Sequence, residues 1–167
     1  MKYFLLALLV INLTVIFYQD VKDREVNWVL FPTALVLCGV YSLFVISYPE
    51  LLLNWALNVL ILFSLLVCLV LYIFVRFGRA NTNLLTYLGL GDVLFFCVLS
   101  ICFSPFNFIL FVIASLLFSL IISLLMPLKK KTVPLAGLQS FSLILFLFFQ
   151  IIFDSNPFNE NWIFLWI

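Results

Sequence analysis

The sequence predicts an all-α fold, a polytopic transmembrane bundle of about six helices forming one domain over residues 1–167. Two observations carry this. Of the 167 residues, 67% are hydrophobic and 9% charged, whereas a soluble domain is about half apolar and a quarter charged. The few charges also fall in short clusters between long apolar runs and are not spread along helix faces, which is how loops between membrane spans look.

A hydrocarbon core about 30 Å thick takes about 20 apolar residues to cross. By that rule the first span runs over about residues 3–19. Lys2 ahead of the apolar stretch Phe4–Phe17 resembles a signal peptide, but no small-x-small cleavage site follows and the run ends in Tyr18-Gln19-Asp20, so it reads as a retained span. A polar stretch from Asp20 to Asn27 leads to a second span over about 29–48, and Tyr48-Pro49-Glu50 turns the chain into a third over about 53–75. Basic and polar residues from Arg76 to Asn83 precede a fourth, over about 86–104, which Gly89, Gly91 and Asp92 interrupt. Ser104-Pro105 ends it, a fifth covers about 107–127 up to Pro127, and a sixth covers about 137–153.

Lys and Arg favour the cytoplasmic side. Lys22 and Arg24 lie in the first loop, Arg76 and Arg79 in the third and Lys129-Lys130-Lys131 in the fifth, while the second loop holds only Glu50 and the fourth no charge. Odd loops are therefore expected in the cytoplasm and both termini outside. The acidic tail from Asp154 to Glu160 agrees, and Trp162 and Trp166 suit interfacial anchors.

Several function classes drop out. A net charge of +1 with no basic, aromatic-laced surface excludes nucleic acid as a partner. The four cysteines, Cys38, Cys68, Cys97 and Cys102, sit in apolar runs without a CxxC pair, suggesting neither a metal site nor a disulfide framework. With no histidine in the chain, any proton chemistry falls to carboxylates, and no cofactor is implied.

Two acids stand out. Asp20 heads the loop segment Tyr18-Gln19-Asp20-Val21-Lys22-Asp23-Arg24-Glu25-Val26-Asn27, which alone is an ordinary solvated loop. Asp92, in Gly89-Leu90-Gly91-Asp92-Val93-Leu94, lies inside an apolar run, where a carboxylate costs about 2.5–3.5 kcal/mol on insertion scales. Gly89 and Gly91 leave room for a helix or an extended backbone to approach, and Asp92 also suits a helix cap. Loop polarity puts both acids at the cytoplasmic boundary. Two carboxylates at one depth can share a proton, so that one is ionised and takes a proton from water while the other polarises a carbonyl.

Asp20-x5-Val26-Asn27 followed by Gly89-Leu90-Gly91-Asp92 resembles the type IV prepilin peptidase family, membrane aspartyl proteases with a GxGD motif, in the short form without the methyltransferase-associated domain. Val133-Pro134-Leu135-Ala136-Gly137-Leu138 is similar to a Pro- and Gly-containing stretch before the last span of that family. The resemblance covers nearly the whole chain. It implies an aspartic endopeptidase of the bacterial inner membrane, with Asp20 and Asp92 as the catalytic pair, and Gly89, Gly91, Lys22 and Arg24 binding or supporting the substrate. The implied partner, besides the lipid bilayer, is a pilin-like precursor cut at its cytoplasmic leader. Two positions depart from the family pattern: Asn27 stands where the family has Pro, and Leu94 where it has Lys. The departures support an alternative, an inactive member serving pilus or secretion-system assembly; a small proton-coupled transporter using Asp92 is a third reading, for which Asn12, Thr14, Asn54 and Asn58 outline no route.

Overall fold

A computed structural model describes residues 1–77, 89–125, 133–153 and 156–159. These form six helices: α1 Lys2–Lys22, α2 Leu30–Ser42, α3 Tyr48–Phe77, α4 Leu90–Leu99, α5 Pro105–Leu125 and α6 Leu135–Phe153. Arg79, the Lys129–Lys131 triplet, Asp154, Glu160, Trp162 and Trp166, used above for topology and anchoring, lie outside the described residues.

Four helices, α1, α3, α5 and α6, are long and apolar enough to cross a membrane, and the protein is a helical membrane protein. The other two are shorter than the apolar runs that contain them. At 1.5 Å per residue, the 13 residues of α2 reach about 20 Å and the 10 of α4 about 15 Å, against the roughly 30 Å of a hydrocarbon core. The cause lies in their ends. After Ser42, Phe44, Val45 and Ile46 turn back through bonds to Tyr41 and Ser42 carbonyls, so three apolar residues build a turn that hydropathy counts as span. Gly89 is extended (φ −61°, ψ 145°) and starts α4 late, while Ile101, Cys102 and Phe103 leave the helix before Pro105 opens α5.

α6 is the central element. It packs most extensively on α1 and also meets α5 and α4, while α2 bridges α1 and α4. Nine of its residues are buried, from Ala136 to Gln150. Its inner face joins Leu9, Leu13, Phe31, Phe95, Phe108 and Leu143 in one apolar cluster, within which Phe103 stacks on Phe111 (4.7 Å) and meets Phe146 edge-on (5.0 Å). The outer faces of α3 and α5, including Phe63, Val75, Leu117 and Leu124, are exposed, as lipid contact requires.

The helices have two distinct ends. At one, α1 finishes while α4 and α6 begin, bringing Asp20, Asp92, Ala136 and Gly137 together. At the other, Lys2 lies 5.7 Å from the Tyr41 ring, Ser42 donates to the Ile101 carbonyl, and Asn107 donates to the carbonyls of Pro157 and Asn159.

Candidate functional site

An acid at the C-terminal end of a helix faces the negative pole of its dipole, and a carboxylate removed from water needs donors. Asp20 meets both conditions: it lies in the last turn of α1 and is only 8% exposed. The donor comes from another helix. The Gly137 N–H, in the first turn of α6, donates to Asp20 Oδ2 at 2.6 Å.

Asp92 is held in two ways. As the third residue of α4 it accepts the Gly89 N–H on Oδ2 at 3.2 Å, closing the start of its own helix as a capping acid does. Its other oxygen, Oδ1, accepts the Ala136 N–H at 2.9 Å. Ala136 and Gly137 are consecutive, so one turn of α6 anchors two acids that stand 72 positions apart in the chain. The first N–H groups of a helix have no partner within it, and the dipole favours negative charge there. Backbone bond lengths between adjacent amides keep the two bonded oxygens within about 9 Å of each other, and the Asp92 carboxyl lies within reach of the Asp20 charge. Among the described residues, Oδ1 of Asp20 receives no hydrogen bond and keeps its lone pairs free to accept one.

The glycines divide the work unequally. A Cβ on Gly137 would meet Asp20 Cβ and Oδ2, both at 3.0 Å, closer than such atoms normally come; only glycine lets the carboxylate sit directly on this helix end. A Cβ on Gly89 would meet Asp92 Oδ2 at 3.1 Å, whereas one on Gly91 would make ordinary contact with Phe31 at 3.4 Å. Gly89 is exposed beside Asp92 and Gly91 half-buried. The sequence reading singled out Gly89 and Gly91 but gave no role to the Ala136 and Gly137 amides. The available signal was a glycine in the first turn of a helix opened by Pro134.

Of the basic residues, Lys22 turns away: it is fully exposed and donates to the Tyr18 hydroxyl at 3.1 Å. Arg24 stays with Asp20. Its backbone N–H donates to the Asp20 carbonyl at 3.2 Å, and its positive charge reaches the Asp20 carboxylate. Its φ is +63°, the left-handed conformation that closes many helices and is usually taken there by glycine. Nη1 of Arg24 is buried without a hydrogen-bond partner among the described residues.

The two departures from the family pattern also have a structural setting. Asn27 accepts the Val29 N–H on its side chain at 3.2 Å, and its own N–H donates to Gln19 Oε1 at 3.0 Å, so it makes the turn into α2 with hydrogen bonds. Leu94 is partly buried against the apolar cluster, and its position carries packing where the family has a cation.

Among the described residues, no group of three or more His, Cys, Asp or Glu converges to hold a metal. The geometry suits acid–base work by a carboxylate pair: both acids are fixed by backbone amides, one oxygen has no hydrogen bond among the described residues, and Gly89 beside Asp92 is exposed. No known protein family, curated protein or solved structure matches this chain.

Proposed function

We propose that this protein is a membrane aspartic endopeptidase of the prepilin-peptidase type, cutting the leader of a pilin-like precursor at the cytoplasmic face of the bacterial inner membrane. The observation that carries the reading is the placement of Asp20 and Asp92, from two helices, on the consecutive amides of Ala136 and Gly137. A single acid on a helix N-terminus is explained by capping; a second acid brought from the end of α1 is not.

In the mechanism that follows, one carboxyl holds a proton and the other is ionised. The ionised acid takes a proton from a water molecule, whose oxygen attacks the scissile carbonyl while the protonated acid hydrogen-bonds the carbonyl oxygen. Collapse of the tetrahedral intermediate breaks the C–N bond, and the leaving amine takes a proton from the pair. The α6 amides hold the carboxylates in place throughout, which limits reorganisation during reaction. The substrate helix lies in lipid against the bundle, and its extended leader passes over exposed Gly89.

The test is co-expression with a pilin-like precursor. Wild type is expected to process it, and Asp20→Asn or Asp92→Asn to leave it uncut; normal processing by either variant would sink the pair. Leu94, packed where the family has Lys, favours the second reading, a non-catalytic assembly protein. That reading predicts an uncut precursor with wild type as well, together with retained pilus or secretion-system assembly in both Asp→Asn variants. Reporter fusions at Glu50 and Arg79 should report opposite sides of the membrane, and the same side for both would overturn the cytoplasmic placement.

A further inference from the structure

We infer that Arg24 is a substrate-binding residue of the aspartate site, offering a guanidinium N–H to a main-chain carbonyl oxygen of the bound peptide. The inference rests on the peptidase reading and adds to it how the chain of the substrate is gripped beside Asp20.

The first ground is backbone conformation. Arg24 is the sole non-glycine residue with positive φ among the described residues, and the left-handed region costs a side-chain-bearing residue energy that glycine does not incur. The position, just past α1 and bonded back to Asp20, is where glycine usually closes a helix. Closing the helix needs no arginine, and glycine would close it with less strain. Strain of this kind gathers at functional positions.

The second ground is the state of that side chain. Arg24 is half-buried, and its Nη1 is covered without a hydrogen-bond partner among the described residues. A buried guanidinium donor left unused is destabilising, and such a group calls for an acceptor that arrives from elsewhere. Lys22 provides the contrast: two residues earlier, its ammonium is exposed and already bonded to Tyr18.

Chemistry selects the acceptor. The Asp20 carboxylate already lies within reach of the Arg24 charge, so a second anion there would compete with Asp20, whereas a neutral carbonyl oxygen would not. An extended peptide presents such oxygens along its length, and a planar guanidinium with five donors can bond one while its charge still serves Asp20.

The experiment uses the full-length protein in detergent and a synthetic precursor: a lysine-containing leader ending in Gly, then a 20-residue apolar segment, with no Asp or Glu anywhere. Binding is read by photo-crosslinking at graded concentrations and cleavage by mass spectrometry. Wild type should bind the probe. Arg24→Gln should bind about tenfold more weakly or worse, with KM rising by a larger factor than kcat falls, and Arg24→Lys, which keeps the charge beside Asp20, should recover part of the loss. Arg24→Gly should bind as weakly as Arg24→Gln yet unfold at a higher temperature than wild type, which separates lost binding from lost folding. Unchanged affinity in Arg24→Gln overturns the inference, as does failure of wild type to bind the probe. Binding that appears only with a probe carrying an added Asp or Glu overturns the carbonyl assignment in favour of a carboxylate. Wild type that binds the probe through Arg24 but never cuts it removes the peptidase reading and leaves the Arg24 site standing.

Discussion

The two ends of this bundle solve the same problem with opposite chemistry. Where α4 and α6 begin, unpaired N–H groups point outward, and acceptor-only carboxylates meet them: Asp20 takes Gly137, and Asp92 takes Ala136 and Gly89. At the far end, around the end of α4 and the start of α5, the unpaired groups are carbonyls, and amide donors meet them. Asn58, fully buried on α3, donates to the carbonyls of Ser100 and Phe103, both at 2.8 Å, and Asn107 donates to Pro157 and Asn159. At the helix starts and at Ser100 the choice follows from what a helix end exposes, donors at its start and acceptors at its finish; the Phe103, Pro157 and Asn159 carbonyls lie outside the helices. The difference teaches how to separate architecture from function in a chain this apolar. At the far end the one carboxylate among the described residues, Glu50, accepts the Ser47 N–H at 3.1 Å in an exposed setting and neutral amides meet the carbonyls, whereas the near end withdraws two carboxylates from water, Asp20 buried and Asp92 partly so. Under the peptidase reading proposed above, the two acids at the near end are the groups that carry the chemistry.

That contrast breaks most sharply on the acids themselves. Asp20→Asn keeps an acceptor oxygen for the Gly137 amide, and Asp92→Asn keeps one for Ala136 while losing the Gly89 bond, so the fold should persist, with about 1 kcal/mol lost at Asp92 only, while precursor cleavage falls about 10²- to 10⁴-fold in both. If cleavage stops only when the protein unfolds, the near end is architecture like the far one. At the far end the reverse holds. Asn58→Leu leaves the Ser100 and Phe103 carbonyls unpaired but also removes the buried, unpartnered Asn58 Oδ1, a net loss of about 2 kcal/mol in detergent unfolding. Cleavage per folded molecule should not change.

Gly137→Ala probes the seam between the two chemistries. Its Cβ would press on Asp20 Cβ and Oδ2, lengthening the shortest hydrogen bond of the site, and α1 and α6 must shift to admit it. Overpacking of this size costs about 1–3 kcal/mol, partly offset by roughly 1 kcal/mol of better helix propensity. The stability loss measured by unfolding should therefore be small and the loss of cleavage larger. Equal losses would make Gly137 a packing residue alone.

Much of this was legible in the amino-acid order, and the remainder was hidden for identifiable reasons. Long apolar runs announce α1, α3, α5 and α6 because length and composition alone decide whether a helix can cross a bilayer. They mislead for α2 and α4, since Phe44, Val45, Ile46 and Ile101, Cys102, Phe103 are as apolar in turns as in helices, and hydropathy is blind to backbone bonds. Asp20 and Asp92 were readable because a carboxylate in an apolar context is conspicuous. The Ala136 and Gly137 amides were not, because every residue but proline has an N–H group and only the fold decides which ones go unpaired. Lys22 and Arg24 looked alike as nearby cations; the left-handed turn at Arg24 separates them, and no composition rule foresees it.

The smallest expected effect sharpens the comparison at its far end. Asn107 reaches two carbonyls of residues 156–159, Pro157 at 2.8 Å and Asn159 at 3.2 Å, and the backbone N–H of Ser104 also donates to Pro157 at 3.4 Å. Because the second donor remains and the Asn159 contact lies in an exposed setting, Asn107→Ala should lower unfolding stability by only about 1 kcal/mol. The nearby segment should become more open to protease at Phe158, with cleavage of the precursor unaltered. A fall in precursor cleavage would show that the far end is coupled to Asp20 and Asp92 through α6, whose buried face runs from Ala136 beside the acids to Gln150 near Pro157. The two ends would then act as one device.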